Sequence, residues 1–73
     1  MTFDELAWAS RAMSREQFES VRRFGPGEAL PPGEYFDART GAIVPIWKPG
    51  AVVPSDTVYL EAESVRDLGI LAY

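Results

Sequence analysis

Seventy-three residues with eleven acidic and seven basic side chains, a formal charge of −4, no cysteine and no histidine set narrow bounds. A chain this short sits near the lower limit at which one hydrophobic core holds a fold unaided, so a single domain over residues 1–73 is expected, acting through its surface. Without cysteine or histidine there are no disulfides, no thiolate or imidazole metal sites and no Ser-His or Cys-His triads, so no enzyme, metal or cofactor is expected.

The chain opens MTFDELAWAS, with acids and no basic n-region, which does not read as a secretory leader. Its longest apolar run, residues 42–47, falls far short of the roughly 20 residues of a membrane helix. A cytoplasmic, membrane-free protein is expected. Residues 2–24 read as helical, starting at Thr2 and Glu5, which have the spacing of a capping box. Phe3, Leu6, Ala7 and Ser10 lie on one stripe, with Met13 close by. A second box at Ser14 and Gln17 predicts a new helix from about residue 15, with Phe18, Val21 and Phe24 as its apolar edge and Gly25-Pro26 as its stop. Trp8 lies off the first stripe, and either marks a contact patch or wraps round the helix into the core.

Residues 27–33 (GEALPPG) read as a connector whose prolines and glycines disfavour regular hydrogen bonding. Next comes EYFDARTGAIVPIW, a hairpin at residues 34–47 with its turn at residues 37–41, where Gly41 can take the positive φ such loops need. Pairing Asp37 with Ala42 sets Phe36 against Ile43, Tyr35 against Val44 and Glu34 against Pro45. Glu34, Phe36, Ile43, Pro45 and Trp47 then share one face, and Tyr35, Asp37, Ala42, Val44 and Ile46 the other. Helices are expected to cover the first, making Phe36, Ile43 and Trp47 core. The second needs the C-terminal segment or a partner. Pro45 argues for a sheet edge, since it has no N–H to give a ladder.

Residues 48–50 read as a turn and 51–56 as irregular. Residues 57–61 alternate as a third strand, with Val58 and Leu60 on one side and Thr57, Tyr59 and Glu61 on the other. Residues 64–68 suit one helical turn closed by Gly69, and residues 70–73 a last strand or tail. The fold class is α+β: one or two short N-terminal helices packed on a small antiparallel sheet built around the hairpin at residues 34–47.

No phosphate-binding glycine loop or calcium loop occurs, and the serines have no partner base. Glu61 and Glu63 on one strand would stand about 7 Å apart, a spacing that two-carboxylate chemistry or a cation could use, but a solvated strand end is the favoured reading. Arg11, Arg15, Arg22 and Arg23 in the helical region admit a helix-turn-helix DNA-binding repressor. Asp4, Glu5, Glu16 and Glu19 neutralise them, however, and Glu19 has the spacing to pair with Arg22 or Arg23. The whole −4 lies from Phe24 onward, so a basic protein surface suits the chain better than nucleic acid. The candidate partner-binding residues are Glu34, Tyr35, Asp37, Val44, Trp8, Tyr59, Glu61 and Glu63, aromatic anchors ringed by acids.

In size, acidity, absent catalytic residues and compact α+β pattern, the chain resembles small phage-encoded proteins that take over host machinery. These include initiation inhibitors and antiterminators that bind bacterial RNA polymerase, and inhibitors of CRISPR complexes. The resemblance implies a regulator that docks on a larger protein assembly in the host cytoplasm, RNA polymerase first among them, inhibiting or modulating transcription. An antitoxin, immunity, anti-CRISPR or accessory subunit covering one cognate protein stays open, as does the oligomeric state. Six arginines to one lysine, with abundant Ala, Gly and Pro, suit a high-GC genome.

Overall fold

The computed structural model describes residues 2–70. Both capping boxes form. Thr2 and Glu5 close on a single 3₁₀ turn, Phe3–Glu5, and Ser14 and Gln17 on a helix. The Thr2 backbone and side-chain donors favour the charged form of Glu5 and hold its pKa below the usual value. Two short helices follow, α1 (Ala7–Ala12) and α2 (Arg15–Ser20), broken where Met13 is extended and Ser14 starts afresh. No side chain caps α1. Its free amides reach instead to the hairpin turn, Trp8 N donating to Arg39 O (3.1 Å) and Ala9 N to Ala38 O (2.9 Å).

Helix α2 ends earlier than the sequence predicts, because Val21 turns extended and buries its side chain. Arg23–Phe24 then forms β1 rather than a helical edge. Three more strands follow, β2 (Gly33–Asp37), β3 (Ile43–Ile46) and β4 (Tyr59–Glu61), and then α3 (Ala62–Asp67), with Gly69 at φ +71° just beyond it. The structure is thus α+β, a four-stranded antiparallel sheet of order β1-β4-β2-β3 with short helices. Residues 71–73, the end of the expected strand or tail, lie outside the described residues; Ile70 packs against the main core.

The hairpin register matches the sequence reading at every pair: Phe36 with Ile43, Tyr35 with Val44, Glu34 with Pro45. Alternation along β2 sends Phe36 and Tyr35 into two different cores. On the helix side, Phe36 and Leu60 pack with Leu6, Ala9, Val21 and Val65. On the other, Tyr35 and Tyr59 stack (6.4 Å, 27°) beneath Leu30 and Val53, and Phe24 meets the Tyr35 ring edge-on.

The cover on that second face is the main surprise of the fold. The expected connector, residues 27–33, and the expected irregular stretch, residues 51–56, pair with each other over part of their length. Leu30 N donates to Ala51 O, Val53 N to Glu28 O and Gly27 N to Val53 O, all within 2.9–3.0 Å, with a bridge between Ala29 and Val52. These segments lay Leu30 and Val53 over the tyrosines and satisfy their own backbone, so no C-terminal segment or partner is needed there.

Candidate functional site

Burial divides the eight sequence-derived contact residues. Tyr35 is 3 % exposed and Tyr59 9 %, and both belong to the loop-side core. Tyr35 donates its hydroxyl to Pro31 O. Neither is the surface anchor that its aromatic character suggests. Burial disfavours the phenolate and raises both pKa values, the charges of Asp37 and Asp56 adding to the shift at Tyr59. Val44 is half-buried against the same cluster. Trp8, open to either reading, wraps inward: it stacks on Phe36 at 5.5 Å and 18° and lies over Gly41. A Cβ at Gly41 would come within 2.5 Å of the indole, so the missing side chain makes room for the ring. Asp37 is spent on the turn, accepting from Arg39 N (2.9 Å) and from the buried Thr57 hydroxyl.

The acidic members fare differently. Glu34, Glu61 and Glu63 line one surface groove of about 560 Å³ between the lip at Pro31, Pro32 and Gly33 and the exposed side of α3, with Asp67. Two ion pairs span its borders, Arg22–Glu61 (3.3 Å) and Arg66–Glu34 (3.2 Å). Glu61 also accepts from the Ser64 hydroxyl (2.8 Å). Because α3 starts directly after β4, Glu61 ends a strand while Glu63 lies in the first helical turn, so the two carboxylates do not share a strand face. Among the described residues no group of three or more His, Cys, Asp or Glu side chains could hold a metal ion.

Of the three residues expected in the core under the helices, Phe36 is buried, but Ile43 and Trp47 are on the surface. Trp47 is 82 % exposed and Ile43 51 %, with Pro45 exposed between them. Strand β3 is one edge of the sheet, β1 being the other, and α3 packs over β2 and β4. One face of β3, Val44 and Ile46, packs on the loop-side core, while the face of Ile43 and Pro45 is uncovered. The signal was Pro45: an edge strand has a flank that its own sheet does not cover. The Asp37 amide donates to Ala42 O (3.0 Å), closing the hairpin, so ladder bonds fall at Tyr35–Val44 and Gly33–Ile46. Ile43 and Pro45 therefore turn their backbone groups to the open edge, where proline has no N–H. Trp47 and Pro45 also border a shallow, mainly apolar hollow of about 320 Å³ with Ile46, Lys48, Pro49 and Ala51.

Three of the four arginines expected in the helical region, Arg15, Arg22 and Arg23, fold back onto the protein, while Arg11 is exposed. Arg15 lies 3.8 Å from Asp4 and over the Phe3 ring, and Arg22 pairs with Glu61. Arg23 donates to Phe18 O and covers that ring, so neither Arg22 nor Arg23 takes the expected Glu19 partner. No helix among the described residues is long and apolar enough to cross a membrane. No family model, curated protein or solved structure matches the chain.

Proposed function

We propose that this chain is a small acidic protein-binding regulator that docks on a larger protein through the uncovered face of β3, with Trp47 as its anchor. The observation that carries this reading is Trp47 itself, 82 % exposed beside Ile43 and Pro45 in a domain with little apolar surface to spare. Solvent gives a tryptophan no reason to stand there, whereas interfaces are enriched in tryptophan and draw much of their energy from such side chains. The −4 charge favours a basic partner surface. The arginines drawn into internal contacts weaken the case for duplex DNA, which needs cations free to meet phosphate. Its likeness in character to phage regulators makes bacterial RNA polymerase the first assembly to test, with occlusion or a biased conformational equilibrium as the mode of action.

The experiment is affinity capture of the tagged protein from a bacterial lysate, with and without nuclease, alongside Trp47→Ala and Ile43→Ser. A stoichiometric partner that resists nuclease and is lost with both variants is expected. Recovery of nucleic acid alone, or capture unchanged by either substitution, overturns the reading.

A further inference from the structure

The groove beside α3 and the apolar hollow beside Trp47 are lined by neighbouring residues of one hairpin. Gly33 and Glu34 line the groove, Pro45 and Ile46 line the hollow, and these residues are direct register partners, Gly33 with Ile46 and Glu34 with Pro45. Facing strands are about 5 Å apart, so residues of the two linings lie one strand spacing from each other.

Charge in the groove is unbalanced: four carboxylates face two guanidiniums. Arg22 and Arg66 already pair with Glu61 and Glu34. Glu63 and Asp67 take part in no ion pair among the described residues. They stand four residues apart on α3, where like charges repel, and Asp67 meets the negative end of the helix dipole. Glu63, in the first turn, is favoured by the positive end of that dipole, so the poorly placed charge of the free protein is Asp67. Next to them lie two exposed prolines, Pro31 and Pro32, against which the methylene stem of a long basic side chain can lie.

Building on the Trp47 reading, we propose that the groove and the hollow together receive one basic segment of the partner protein. An apolar side chain of that segment lies on Trp47 and Pro45, and a neighbouring arginine or lysine crosses the Glu34 lip to Glu63 and Asp67. Pro45 sets the manner of docking. With no outward N–H at that residue, the edge cannot continue a full ladder, so the segment is held by side chains across the face and not as an added strand.

The test is an ¹⁵N-¹H titration of the whole chain with three probes: a short peptide alternating arginine and leucine, the same peptide with glutamate for arginine, and spermidine. The arginine peptide should move the Gly33, Glu34, Glu63 and Asp67 amides together with the Trp47 indole, and the movement should shrink as salt is added. Glu63→Gln/Asp67→Asn should weaken that binding about three- to tenfold while the Tm of the free protein stays within about 2 °C, since losing the favourable first-turn charge offsets the relief at Asp67, and an unchanged Tm separates lost contacts from lost folding. Movement of the Trp47 indole without the groove amides overturns this inference and leaves the Trp47 reading standing. No movement of either overturns both. Equal binding of the glutamate peptide, or equal groove shifts with spermidine while Trp47 stays still, reduces the groove to an unselective countercharge and overturns the inference.

Discussion

The two strands of one hairpin meet different fates. In β2, Phe36 and Tyr35 are both buried, one on each face of the sheet; in β3, their register partners Ile43 and Val44 are exposed and half-buried. Register assigns Ile43 to the same face as Phe36, but only rank in the sheet decides whether a face is covered. β2 lies second from the edge, beneath Trp8 and α3, and β3 is the edge. The strands thus divide the labour, β2 holding both cores while β3 is left for contact.

The strongest way to break this comparison is to treat the two strands alike. Phe36→Ala removes a ring that fills the helix-side core and supports Trp8, and should cost about 3–5 kcal/mol, comparable to the whole stability of so small a domain. Urea denaturation followed by circular dichroism should show a largely unfolded chain in buffer. Gly41→Ala comes next, at about 2–4 kcal/mol, because it meets two penalties: φ is +77° and the added Cβ would strike the Trp8 indole 2.5 Å away. The pair Gly41→Ala/Trp8→Ala should lose less than the two single effects added, since without the indole only the backbone strain remains.

Alkaline pH probes the loop-side core without mutation. Both Tyr35 and Tyr59 have pKa values raised by burial above the usual 10.0. The folded state therefore holds the phenolic protons more tightly than the unfolded chain. The sign follows: this stability is fully present below the unfolded pKa near 10 and is lost as pH rises through the folded values. The Tm should hold level to about pH 9.5 and then fall, and the decline should start with exposure of Tyr35 and Tyr59 in the 295 nm difference spectrum. Tyr35→Phe/Tyr59→Phe should flatten it.

The contrast between strands also explains how far the sequence could be read. Two capping boxes, the Asp37–Ala42 closure and the alternation of Val58 to Glu61 are local, and each appears in the structure as its spacing implies. Strand order is not local. Nothing near Ile43 or Trp47 says that β4 will take the other side of β2 and leave β3 at the margin, although Pro45 points to an edge. Tyr35 misleads for the same reason, since its cover comes from residues 25–32 and 51–54, segments with no recognisable periodicity. The acids were easier, because charge stays at the surface wherever the chain goes, and Glu34, Glu61 and Glu63 do share one groove.

A smaller effect tests the edge itself. Pro45→Thr keeps an exposed β-compatible residue and restores an outward N–H beside that of Ile43, completing the donor row of β3. Stability should change by less than about 1 kcal/mol, but the variant should self-associate at concentrations where the parent does not, as read by sedimentation velocity.

The smallest expected effect is the most informative about function. Trp47→Ala deletes the largest side chain type in the chain at a site 82 % exposed, so it removes little buried area, leaves no cavity and should shift stability by no more than about 0.5 kcal/mol. Phe36→Ala, on the facing strand of the same hairpin, should cost several times more for a smaller residue. That ratio separates a side chain held by the fold from one the fold merely displays. If Trp47→Ala instead destabilises by about 2 kcal/mol or more, the indole packs against this chain in solution, and β3 is a second structural strand rather than the contact face.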